Sequence, residues 1–238
     1  MPSFSQALVL GVTLLSTVVT AAPVDIPIQS DLILKWALDG TAITNCDISN
    51  AEVPLHKTYP QLPHPPRGDQ LKHVVIGRGT QNYTCAAAND ASAVPESAGA
   101  VATLYDVSCL AANSPDLLHQ ISEQAEKIDS NALSSLAKLV KDVAGINLIE
   151  GYHYFDKTST PFFDLKQDGS KDWISTSGIE KVPSPIGSVD WLRLSRKDSV
   201  GIKEVYRVET HGGQPPSTCA KSPTSFEVEY SAEYWFFG

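Results

Sequence analysis

The chain has 238 residues, 42% of them hydrophobic and 19% charged, with a formal net charge of −9 at pH 7. That composition supports a packed core and excludes wholesale disorder. The acidic balance argues against nucleic acid and anionic membranes as partners, because both reward Lys and Arg.

Residues 1–21 read as a secretory signal. The stretch from Ala7 to Val19 is uncharged and rich in Leu and Val, and Val19-Thr20-Ala21 precedes a cleavage position before Ala22-Pro23. The apolar run is too short to span a bilayer. It departs from the usual layout in having no Lys or Arg before it. The expectation is therefore a secreted, extracellular protein, with no membrane contact after cleavage. Four cysteines follow: Cys46, Cys85, Cys109 and Cys219. An even count in an exported chain predicts two disulfides, and spacing alone leaves all three connectivities open. Their wide separation is unlike a zinc site, and no metal or other cofactor is implied.

Residues 22–70 read as an N-terminal extended arm. Five prolines between Pro54 and Pro66 keep this stretch from forming a helix or a central strand. From residue 71 to 238 the pattern is that of one β domain. Leu71–Ile76 and Gln81–Ala86 read as a hairpin turning at Gly77-Arg78-Gly79, and Ala100–Val107 as the next strand. Asn82-Tyr83-Thr84 is a glycosylation sequon, which makes Asn82 a candidate acceptor. A helical insertion is predicted at about 114–144. Ser114-Pro115-Asp116 starts it, Leu117, Leu118, Ile121, Ala125 and Ile128 keep helical period, Asp129 caps a second helix, and Gly145 closes that one.

Strands return at Tyr152–Phe155, Phe162–Leu165, Trp173–Thr176 and Val189–Leu194. In Ile202–Thr210 and Phe226–Phe236, apolar residues alternate with charged ones. Period two with one charged face predicts a half-buried antiparallel sheet. Several short strands with turns between them give the expected fold: mainly β, an antiparallel β-sandwich of jelly-roll type, with a two-helix insertion.

Chemistry is less legible. Gly77-Arg78-Gly79 fails as a dinucleotide loop because Asn82 stands where the third glycine belongs and a strand follows instead of a helix. There is no G-x-S-x-G elbow, H-E-x-x-H or Walker loop. The candidate binding patch is Tyr83, His153, Asp164, Asp168, Arg207, Glu209 and His211. Tyr152, Tyr154, Phe162, Phe163 and Trp173 lie close in sequence to its acids. Aromatic faces beside carboxylates suit sugar stacking and hydroxyl hydrogen bonding. The residues thus favour a non-catalytic protein that binds glycan or a surface, with cell-wall polysaccharide or a host surface as partner. The alternative is a secreted glycan hydrolase using carboxylates from Asp164, Asp168 or Glu209.

Five blocks in combination resemble one family: GRGTQNYTC (77–85), GAVATLYDVSC (99–109), HYF…TPFFDL…DGS (153–170), VDWLRL (189–194) and VYRVETHGGQPPSTC (205–219). It is a secreted domain of unknown function found in fungi and bacteria and often labelled malate-dehydrogenase-like. The resemblance covers about Leu71 to Cys219. It implies an exported β-rich domain and brings no catalytic residue with it. Because its two most specific blocks, QNYTC (81–85) and the one that runs through RVETHGG to Cys219, each end in a cysteine, it favours Cys85–Cys219, which leaves Cys46–Cys109. The dehydrogenase label fits poorly with a chain that lacks a nucleotide fingerprint and strand–helix–strand alternation.

Overall fold

The structure is a computed structural model that describes residues 46–167 and 169–238. The predicted signal at 1–21 and residues 22–45 of the predicted arm lie outside the described residues, as does Asp168. Among the described residues eight strands run in chain order: β1 (Leu71–Thr84), β2 (Glu96–Asp106), β3 (Ile149–Phe155), β4 (Pro161–Asp164), β5 (Trp173–Val182), β6 (Trp191–Val200), β7 (Glu204–Gly212) and β8 (Ser225–Phe237). Each pairs antiparallel with the next, and β8 pairs antiparallel with β1, so the sheet closes into a barrel.

The expected sandwich is therefore wrong. Inward–outward alternation is the same in a sandwich and a barrel, and what separates them is the partner of the first strand. Here β1 and β8 are the two longest strands, and they pair along nearly their whole length, from Leu71↔Phe237 to Thr84↔Ser225. Full closure leaves no unpaired edge.

The predicted hairpin at Gly77-Arg78-Gly79 is also absent, because β1 runs straight through those glycines. They are present for closeness rather than for turning. A Cβ on Gly77 would lie 2.5 Å from the Tyr234 ring, and one on Gly79 would lie 1.9 Å from the Val101 carbonyl oxygen. A glycine inside a strand often marks such a close approach.

Two apolar clusters use the two faces of the sheet. The inner one fills the barrel with Val75, Leu104, Phe163, Ile174, Val205, Tyr230, Tyr234 and Phe236. The outer one joins Val74, Ile76, Tyr206, Val208 and Trp235 to the helices and the arm. Between β2 and β3 a short helix, α1 (Ser108–Asn113), precedes the two helices predicted for the insertion, α2 (Pro115–Lys127) and α3 (Ser130–Ala144). The Ser114 hydroxyl makes no capping bond to α2, so Pro115 and Asp116 carry its start. The Asp129 carboxylate does cap α3, accepting from the backbone N–H groups of Asn131 and Ala132 at 3.0 Å each. None of these helices is long and apolar enough to cross a membrane.

The Pro-rich arm lies along the outer wall. It buries Leu55 and Leu62, and the Pro63 carbonyl accepts from the Tyr206 hydroxyl at 2.8 Å. Cys46–Cys109 ties the arm to α1, and Cys85–Cys219 ties the residue after β1 to the loop between β7 and β8. Each closes a long loop, worth about 4–5 kcal/mol in the chain-entropy account.

Candidate functional site

The two ends of the barrel differ. At one end β1, β3, β5 and β7 finish while β2, β4, β6 and β8 begin, and there the interior opens. Two cavities of about 260 and 580 Å³ adjoin and share Gln81, Ser97, Ile179, Leu192 and Arg207 as lining. Eight strands enclose room for side chains or for one small ligand. Below this mouth, inward-facing Tyr230 and Tyr234 fill the barrel.

A line of polar groups crosses the mouth's base. The Gln81 amide approaches the Tyr230 hydroxyl, yet its Nε2 is buried and completes no hydrogen bond. Gln81 itself is only 6% exposed. The Tyr230 and Tyr234 hydroxyls are 2.9 Å apart, and the Arg207 guanidinium adjoins that of Tyr234. Arg207 donates from Nε and Nη2 to the Asp190 main-chain carbonyl at 3.2 and 2.8 Å. Among the described residues it forms no ion pair. The Asp190 carboxylate at the rim faces Lys181 instead, at 3.5 Å.

Burial raises the pKa of both core phenols, and Arg207 only partly offsets this for Tyr234, so they stay neutral donors. Burial also depresses His153, to about 4, with Arg207 adding to the effect. Its Nδ1 lies 2.9 Å from the Phe162 carbonyl. A carbonyl only accepts, so Nδ1 carries the proton and Nε2 keeps its lone pair. The ring is stacked on Phe163 at 4.1 Å.

The other end carries a buried charge cluster. His73 lies between two carboxylates, Glu150 at Nδ1 and Asp172 at Nε2, the latter at 2.9 Å. Burial by itself would lower its pKa, but the two acids overcome that and hold it at about 9. This end therefore carries an imidazolium between two anions, with the Phe236 ring edge-on to it.

Of the residues named from the sequence, Tyr83, His153 and Arg207 share the mouth. Tyr83 donates to the Gly213 carbonyl at 2.7 Å and stacks on Phe226. The others are elsewhere. Asp164 follows inward-facing Phe163 and so turns to the outer wall, where Lys166 is 3.7 Å away. Glu209 pairs with Lys57 of the arm at 2.8 Å. His211 borders a separate cleft beside α2, with Glu123 and Lys127. Asp168 lies outside the described residues. Asn82 is half-buried on β1, its amide oxygen accepting from the Thr80 hydroxyl at 3.0 Å.

Tyr154, Phe162 and Trp173 stack across β3, β4 and β5 on the outer wall, with centroids 5.2 and 5.3 Å apart. Rings stacked on one another cover their own faces and present edges, which makes a poor sugar platform. Among the described residues no group of three or more His, Cys, Asp or Glu side chains is placed to hold a metal ion.

Sequence reasoning missed Gln81, Tyr234 and Leu192 as mouth residues. The period-two pattern of β8 already set Tyr230 and Tyr234 on one face, and Gln81 lies two residues from Tyr83, on the same face of β1. Nothing local announced His73, Glu150 and Asp172, which only barrel closure brings together.

Fold and site define an up-and-down antiparallel barrel, with a buried charge cluster at one end and open over a donor-lined base at the other. The chain belongs to the family described as "Protein of unknown function (DUF3455)", whose match spans residues 65–238. No curated protein and no solved structure matches it.

Proposed function

We propose that this chain is an exported, non-catalytic binding protein whose barrel mouth receives the terminal group of an extracellular ligand, with cell-wall polysaccharide or a host surface as its source. The observation that carries the reading is the open cavity with the buried Gln81 Nε2 in its lining, which nears the Tyr230 hydroxyl but completes no hydrogen bond. A buried donor without an acceptor costs about 1–3 kcal/mol, a cost that a bound acceptor removes. Binding is favoured over glycan hydrolysis by the placement of the acids. A hydrolase needs two carboxyls facing across a cleft, whereas the mouth's described lining contains only Asp190, while Asp164 and Glu209 lie on different stretches of the outer wall. The dehydrogenase label gains nothing from a sheet whose neighbouring strands all pair antiparallel.

Export is supported by the signal-like N-terminus and by two closed disulfides. Secreted material should begin at Ala22 by intact mass, and a product retaining residues 1–21 would contradict export. Asn82 is then a glycan acceptor during export, read by a mass change on peptide N-glycosidase treatment. For binding, amide-resolved NMR titration with soluble cell-wall oligosaccharides should move the signals of Gln81, Leu192 and Arg207. Shifts confined to the outer wall would refute the mouth as the site.

A further inference from the structure

We propose that the mouth is a carboxylate site, in which the Arg207 guanidinium and the Gln81 amide N–H groups grip the acid group of a small organic ligand. This rests on the reading of the mouth as the binding site and specifies what enters it.

The argument starts from a count of donors and acceptors. Across the base run the Gln81 amide, two phenol hydroxyls and the Arg207 guanidinium. Gln81 Nε2 and Arg207 contribute only donors there. The Asp190 carbonyl already receives two bonds from Arg207. The one acidic side chain in the described lining, Asp190, is at the rim and is matched by Lys181. The base thus holds one positive charge and spare donors with no anion to meet them.

That imbalance is costly for the protein alone. Arg207 is half-buried in a cavity whose lining it shares with Leu192, Leu194 and Phe155, and a cation taken from water needs a partner. Elsewhere this chain supplies one: Arg193 has Glu180 and Glu204, and Arg78 has Glu229. Arg207 is the arginine left without an acid where the barrel opens. A carboxylate matches the planar guanidinium fork through two parallel N–H···O bonds, and the Gln81 amide supplies a further donor.

The size of the charge sets the class. With His153 neutral at its pKa of about 4 and Lys181 engaged with Asp190, one unmatched cation faces the cavity. That suits a monoanion better than a dianionic phosphate ester. The apolar side of the cavity, including Phe155, Ile179, Leu192 and Leu194, takes the body attached to the acid. Two sources share this chemistry: a uronic acid residue, whose ring has an apolar face, and an aliphatic acid.

The test uses the full secreted chain and isothermal titration at low salt. The probes are galacturonate and octanoate, each beside its uncharged counterpart, galacturonamide and octanamide. At least one acid should bind tenfold or more tightly than its amide, and that preference should disappear in R207Q. R207K, which keeps the charge but not the fork, should retain only part of it. Whichever acid binds identifies the source. Equal binding of acid and amide to the unaltered chain would overturn the carboxylate inference while leaving the mouth reading in place. If none of the four probes bound, the carboxylate inference would fall, and the oligosaccharide titration would decide the mouth reading separately. The acid–amide comparison needs no variant, so poor folding of R207Q would not obscure the answer.

Discussion

Arg78 and Arg207 look alike in the sequence, each set between small or apolar neighbours on a strand. Arg78 points outward, is almost fully buried, and holds the α2–α3 junction to the barrel. Its Nε and Nη2 donate to the Ile128 carbonyl at 3.0 and 2.9 Å, and its Nη1 reaches the Gly79 and Tyr230 carbonyls and the Glu229 carboxylate. Removing it strands several buried acceptors, so R78M should cost about 3 kcal/mol or more. R207Q loses the bonds to the Asp190 carbonyl and the contact with the Tyr234 hydroxyl but also removes a half-buried unmatched charge, so it should cost only about 1 kcal/mol. Urea midpoints of the two variants test this contrast, and equal losses would contradict it. The difference was not legible beforehand. Arg78 read as part of a turn because two glycines flank it, and only the close approaches of Tyr234 and Val101 explain those glycines.

At the scale of elements, the helical period of α2 was legible, and Leu118, Ile121 and Ala125 are indeed the residues it buries. Its landing place was not. The alternation in β8 puts Glu227, Glu229, Ser231 and Glu233 on one face, which read as facing solvent. The helix instead covers part of that face, and Glu233 is fully buried beneath it. Its carboxylate meets His119 Nδ1 at 2.7 Å and accepts from Trp235 Nε1 at 3.1 Å. Beside it, the Ser231 hydroxyl donates to the Ser122 carbonyl at 2.6 Å. Polar contacts placed under a helix fix its register on the wall, an effect no periodicity count detects. Burial works against the charge on His119, and Glu233 more than restores it. H119A should therefore leave an unpaired buried carboxylate and cost about 3 kcal/mol. E233Q added to H119A should recover part of that, since an amide carries no charge to desolvate. A double variant less stable than H119A by equilibrium unfolding would refute the ion pair's role.

At the scale of the whole molecule, closure was invisible to local reading because it depends on β1 finding β8 across the full length of the domain. The class (mainly β, antiparallel, with a helical insertion) followed from period two and turn residues. The choice of barrel over sandwich did not. Closure also creates two ends of opposite electrostatic character, and these predict how stability depends on pH. At the end holding the charge cluster His73 has its pKa raised to about 9, against an ordinary value near 6.5. Between those values the native state holds a proton that the unfolded chain has lost, so stability falls as pH rises. At the open end His153 is depressed to about 4. Between about 4 and 6.5 the unfolded chain takes up a proton that the native state refuses, so stability falls as pH drops. Each limb is worth on the order of 3 kcal/mol from the size of its shift. Stability should therefore peak near pH 6.5, with urea midpoints declining towards pH 9 and towards pH 4.5. H73Q should weaken only the alkaline limb, because it removes the proton held between Glu150 and Asp172, while His119, also raised, keeps part of that limb. H153Q should weaken only the acid limb, because it removes the buried group that most resists protonation, while His211, also depressed by burial, keeps part of that limb. A profile flat from pH 6.5 to 9 in the unaltered chain would show that the cluster of His73, Glu150 and Asp172 holds no imidazolium.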